Sequence, residues 1–147
     1  MATVIESAEA MFEWGRNLGE LLHPGDVLVL TGPLGAGKTL LTQGIGAALG
    51  ITGVTSPTFV ISRIHQGVHP LVHVDAYRLT GDPAALFDDL DLESLIEKSI
   101  IVIEWGETFA SRIADEYLNI VIDYGTVEDQ RIITVTGVGT RWGEFNL

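Results

Sequence analysis

The segment GPLGAGKT, from Gly32 to Thr39, restricts this chain more than any other feature. It satisfies G-x-x-x-x-G-K-[ST] and lies where that motif has a mechanism, between an apolar β-branched and leucine run, DVLVLTG, and the start of a helical pattern. Glycines at 32, 35 and 37 let the backbone curl so that successive N–H groups, with that of Ala36, point at phosphate oxygens. The helix that follows adds the positive end of its dipole. Lys38 supplies a point charge to the β- and γ-phosphates, and Thr39 offers its hydroxyl to Mg²⁺. The chain holds only two lysines, Lys38 and Lys98, so this placement is not drawn from a lysine-rich background. A glycine-rich turn that merely packs a strand on a helix is the bland alternative, outweighed by the full match in this context.

The flanking sequence predicts an α/β fold. Ser7 to Leu22 reads as a helix, capped by Ser7, with Met11, Phe12, Gly15, Leu18, Leu21 and Leu22 at helical spacing and Pro24-Gly25 ending it. Lys38 to Leu49 repeats the pattern and stops at Gly50. Thr58 to His65 with Leu71 to Asp75 predicts one antiparallel hairpin, and Tyr117 to Asp123 with Arg131 to Val138 a second. SIIVIEW is a strand buried on both faces. Pro83 to Lys98 suits one or two short amphipathic helices, and Glu107 to Asp115 another. The expected architecture is a single P-loop NTPase-type domain over 1–147, its sheet mostly parallel with antiparallel hairpins and flanked by helices.

Composition narrows the partners. Lys and Arg number 8 against 20 Asp and Glu, and a formal charge of −12 repels phosphate backbones, so no direct tRNA or other nucleic-acid binding is expected. The absence of cysteine removes disulfides, thiolate metal sites and cysteine nucleophiles. With no basic n-region and no long apolar run, the expectation is a cytoplasmic protein without a membrane segment.

Three further motifs carry candidate chemistry. IVIEW ends an apolar strand in Glu104, the arrangement that puts an acid near Mg²⁺, where it either holds the metal through water or orients the attacking water. HVDAYRL sets His73 and Asp75 on one strand face, with Val72 and Val74 on the other. That polar face wants a partner, and Asp75 is a second candidate for the metal shell or the catalytic water. Arg78, beyond it, suits an ion pair equally well. His65, His69 and His73 fall at intervals of four, but on a predicted hairpin and not a helix, which argues against zinc. VTSPTF presents Ser56 and Thr58 around Pro57, either as a nucleotide-sensing switch or as a capped turn.

Taken in order, GPLGAGKT, SPTF, HVDAYRL and IEWGE resemble the TsaE family of ATPases over nearly the whole chain. The resemblance implies an ATP-binding and hydrolysing subunit, required for threonylcarbamoyladenosine modification of tRNAs reading ANN codons, that acts on the partners TsaD and TsaB as a switch and does not itself transfer the group. It also implies Lys38 and Thr39 as phosphate and Mg²⁺ residues, Glu104 as the Walker-B acid, Asp75 as the second acid, Trp105 as an aromatic of the site, and Ser56 and Thr58 as the switch. Tyr77 and Arg78 would serve the interface with TsaD.

The chain departs from the family pattern in places. Leu40 stands where many P-loops carry a second hydroxyl, so backbone N–H groups must suffice at the α-phosphate. Pro33 and Gly106 replace Asp and Pro of the common form. The adenine contacts do not align cleanly, and Arg131 is the candidate for them. A small-molecule P-loop kinase would add an arginine-bearing lid, and the six arginines form no such cluster. The chain lacks an N-K-x-D guanine element, which favours adenine. An interaction module that binds ATP without turnover remains an alternative.

Overall fold

Alternating apolar residues and β-branched runs assemble here into one sheet, and among the described residues two helices lie against one of its faces. The computed structural model describes residues 2–33, 35–54, 62–75, 96–104, 114–143 and 145, with Asp75 described by its backbone. In chain order the elements are β1 (Ala2–Ile5), α1 (Ala8–Gly19), β2 (Val27–Thr31), α2 (Lys38–Ala48), β3 (Ser62–His65), β4 (Leu71–Asp75), β5 (Ile100–Glu104), β6 (Tyr117–Tyr124) and β7 (Arg131–Val138), followed by a 3₁₀ turn at Thr140–Trp142.

Among the described residues the sheet has seven strands in the order β1-β7-β6-β2-β5-β4-β3. Its centre is parallel: β2 pairs with both β5 and β6, and β5 with β4. Its margins are antiparallel, through β3 on β4, β6 on β7 and β1 on β7. This agrees with the expected mostly parallel core with antiparallel hairpins. β1 is an addition, since the sequence pattern predicts no element ahead of Ser7. Of its four residues only Ile5 is buried, and its partner in β7 is supplied by the far end of the chain.

The helices form for local reasons the sequence states. Ser7 Oγ accepts a hydrogen bond from the Ala10 N–H at 3.1 Å, capping α1, and Glu9 sits favourably in the first turn. α1 ends at Gly19, earlier than the apolar spacing suggested, and Leu21 and Leu22 continue in tighter turns onto the carbonyls of Leu18 and Gly19. α2 closes at Leu49, and Gly50 takes the left-handed conformation (φ +75°) that lets the chain leave the helix.

Helix and sheet meet in one apolar layer: Met11, Leu18, Leu41 and Ile45 pack with Leu28, Leu30, Leu71, Ile100, Val102, Leu118 and Ile120. Burying each large side chain stabilises the fold by roughly 1.5–3 kcal/mol. Val29, Val72, Val74, Ile101 and Ile103, on the opposite face, are also fully buried, as expected for a parallel sheet centre. α1 and α2 touch backbone to backbone: a Cβ on Gly15 would overlap the Leu41 carbonyl oxygen, and one on Gly44 the Phe12 carbonyl oxygen. That contact holds the start of α2 against the sheet. Most of the Pro83 to Lys98 and Glu107 to Asp115 segments, and the Thr58 end of the first hairpin, lie outside the described residues.

Candidate functional site

The loop between β2 and α2 is shaped by its glycines. Gly32 passes so close to β6 that a Cβ would sit 2.5 Å from the Ile122 carbonyl oxygen. Gly35 and Gly37 adopt φ of +80° and +112°, which side chains with a Cβ rarely tolerate. Gly37 then stands at the N-cap of α2, and no side chain caps the helix. The Leu41 N–H donates to the Gly37 carbonyl as the first bond of α2, so the helix begins at the loop and its N-terminal amides and dipole end belong to the mouth of the loop. Such a cradle of N–H donors at a positive dipole end fits a phosphate group.

Lys38, the first residue of α2, turns back over that loop. Its Nζ donates to the carbonyls of Gly32 at 2.7 Å and Pro33 at 3.1 Å, and the residue is buried, with 6% exposure. A buried ammonium needs such acceptors, and their location keeps the charge beside the cradle. Ala36 is buried, and Thr39 is half-buried in the first turn of α2.

Register brings the acids to the same end of the sheet. Glu104 is paired with Leu30 of β2, two residues before Gly32, and Asp75 is paired with Glu104 across β4 and β5. The C-terminal tips of three adjacent parallel strands therefore converge on the loop, the position at which open α/β sheets bind ligands. Glu104 is itself buried, and its Oε2 lies 2.5 Å from His73 Nε2. The polar face of HVDAYRL thus finds its partner on the neighbouring strand. Hard oxygen donors of this kind, with the Thr39 hydroxyl, suit Mg²⁺.

The three histidines do not gather. Among the described residues no group of three His, Cys, Asp or Glu stands in metal-binding proximity. The Nε2 of His65 is buried without a hydrogen-bond partner. Burial first, and then the nearness of His73 and Arg63, hold its imidazole below the usual histidine range, so it stays neutral near pH 7.

Arg131 opens β7 on the same sheet face as Ile5 and Ile133, which carries it to the loop. It rims a cleft of about 130 Å³ with Ser7, Met11, Gly35, Gly37, Leu40 and Asp129. Its guanidinium donates to the carbonyls of Glu128 and Gln130 and stacks 4.8 Å from the Tyr124 ring centre, which fixes its plane. The sequence marks Ser7 as a helix cap and gives no sign of Asp129. The signal was the hydroxyl ahead of α1, legible as a site residue only once β1 and β7 were known to bring both chain ends to the loop. Ser56, Thr58, Tyr77, Arg78, Trp105 and the Asp75 side chain lie outside the described residues. No helix among the described residues is long and apolar enough to cross a membrane.

Comparison with known proteins converges on one family. The family described as "Threonylcarbamoyl adenosine biosynthesis protein TsaE" matches residues 5–133. A Streptomyces coelicolor protein with the name tRNA threonylcarbamoyladenosine biosynthesis protein TsaE is 49% identical over 139 residues, covering 90% of this chain and 93% of its own. The Bacillus subtilis protein of that name is 42% identical over 122 residues, 81% of this chain and 74% of its own. The crystal structure of Bacillus subtilis YdiB superimposes with a TM-score of 0.77 at 33% identity, over 97% of this chain and 88% of that one. With the phosphate-type loop, the converging strand tips and these matches together, this chain belongs to the TsaE family.

Proposed function

We propose that this chain is the ATP-binding and hydrolysing subunit of tRNA threonylcarbamoyladenosine biosynthesis, acting on the TsaD–TsaB pair in the cytoplasm. The observation that carries the reading is the uncapped, glycine-shaped N-terminus of α2 with Lys38 folded beside it and Glu104 at the adjacent strand tip. The family membership supplies the pathway.

In this reading the amides of Gly35 to Thr39 bind the phosphates, and the Lys38 ammonium leaves its carbonyl acceptors for the β- and γ-phosphate oxygens. Thr39, Glu104 and Asp75 form the Mg²⁺ side of the site. Bound Mg²⁺ would supply charge neutralisation at the terminal phosphates. Glu104 then holds the metal through water or orients the attacking water. The cleft beside Arg131 takes the adenine, with Met11 and Leu40 as apolar walls and the fixed guanidinium plane as a stacking surface. Ser56, Thr58 and Trp105 are proposed to respond to the nucleotide, as the family resemblance implies.

The acidic balance of the chain, −12, supports a protein partner with a basic docking surface over direct contact with tRNA. The deciding measurement is Mg²⁺-dependent ATP hydrolysis by the purified chain, alone and with the matching TsaD–TsaB pair. Slow turnover that rises sharply with the pair is the expected result. Turnover appearing only when a small-molecule acceptor is supplied would replace the reading with a P-loop kinase. Tight ATP binding without turnover under any condition would leave an interaction module.

A further inference from the structure

His73 is fully buried on β4, and its two ring nitrogens have unequal surroundings. Nε2 lies 2.5 Å from Glu104 Oε2, whereas Nδ1 is buried with no hydrogen-bond partner among the described residues. His73 pairs in register with Val102, so Glu104 stands two residues further along β5 on the same sheet face. The contact is therefore between neighbouring strands of the rigid sheet centre, each fixed by its ladder.

A ring nitrogen and a carboxylate oxygen cannot approach this closely as two bare acceptors, so a proton lies between them, and an Nε2–H donating to the carboxylate supplies it. We infer that His73 is a positioning residue: its Nε2–H holds Oε2 of Glu104, fixes the carboxylate plane, and leaves Oε1 as the oxygen that serves the phosphate site. The inference rests on the hydrolytic role proposed for Glu104. It assigns to His73 a task distinct from filling space, because an apolar side chain of similar size would pack but would not hold the carboxylate.

Two measurements test it. Long-range ¹H–¹⁵N spectra of the imidazoles should show a proton on Nε2 of His73, downfield in the wild type and moving upfield in Glu104→Gln. A bare Nε2, or an Nε2–H indifferent to Glu104→Gln, overturns the inference. In steady-state hydrolysis with the TsaD–TsaB pair, His73→Leu should lower kcat by about 10–100-fold with KM for ATP unchanged. His73→Gln, whose side-chain amide can reach the same oxygen, should recover most of that loss. Equal losses in the two variants, or a loss confined to KM, would reduce His73 to packing. If His73→Leu fails to fold, the spectra and the Gln variant still decide. A wild type without turnover sinks the hydrolytic reading alone, since the spectra still report whether His73 holds Glu104.

Discussion

At the scale of single residues, the site depends on charges that the fold has taken out of water. Lys38 is 6% exposed and Glu104 5%, and each has specific hydrogen-bond partners, the carbonyls of Gly32 and Pro33 for one and His73 for the other. If the Lys38 ammonium moves to phosphate oxygens when nucleotide binds, it contributes a charge-assisted hydrogen bond worth about 1.5–3 kcal/mol. Lys38→Ala should then weaken ATP binding by roughly 10–100-fold in a fluorescence titration, and an unchanged affinity would remove Lys38 from the site. Lys38, Thr39 and Glu104 were legible in the sequence because motif spacing alone places them on a loop, a first turn and a strand tip. The partner of His73 was not legible. The strand pattern showed that a polar face existed, but Glu104 lies 31 residues away, and only the β4–β5 register brings the two together.

At the scale of elements, the two hairpins and both helices could be read from apolar periodicity and turn residues, and the second hairpin matches almost to the residue, Tyr117–Tyr124 with Arg131–Val138. β1 could not, because a four-residue edge strand with one buried side chain has no periodicity to detect. The interhelical glycines were equally hidden. In the sequence Gly15 simply falls among the apolar positions of α1 and nothing distinguishes Gly44, yet both mark where two backbones meet. Propensity and packing make opposite predictions here. A glycine-to-alanine change inside a helix stabilises by about 0.8–1 kcal/mol when nothing obstructs it, whereas a methyl driven into the Phe12 carbonyl and the Arg16 amide must push α1 away. Gly44→Ala should therefore destabilise the protein by about 1–3 kcal/mol in urea unfolding, and should weaken nucleotide binding as the start of α2 shifts. A variant more stable than wild type would show that the helices are not in contact at this point.

At the scale of the whole molecule, the chain is closed by contacts between its distant parts, and these decide where the site can form. β1 pairs with β7, which brings Ser7 and Arg131 to the same cleft. At the opposite end of β2, Arg141 from the 3₁₀ turn reaches Asp26, 115 residues earlier, with Nε and Nη2 each 3.1 Å from a carboxylate oxygen. It also donates to the Leu21 carbonyl at 3.0 Å and lies over the Trp142 ring. Asp26 is almost fully buried and otherwise accepts only the His23 N–H at 2.8 Å among the described contacts. Composition could not reveal this clasp, since an arginine after β7 and an aspartate before β2 are each unremarkable turn residues. Removing the arginine would strand a buried carboxylate with one remaining donor, so Arg141→Gln should cost about 1–3 kcal/mol in urea unfolding. Arg16 offers the comparison: it bridges Glu13 at 2.7 Å and Glu20 at 3.4 Å, but in solvent, and Arg16→Gln should leave the unfolding curve nearly unmoved. Nucleotide affinity should survive both changes, because neither side chain borders the loop. If the two substitutions proved equally mild, the clasp would be a surface contact despite its burial, and the C-terminal turn would be held by Trp142 and its apolar neighbours instead.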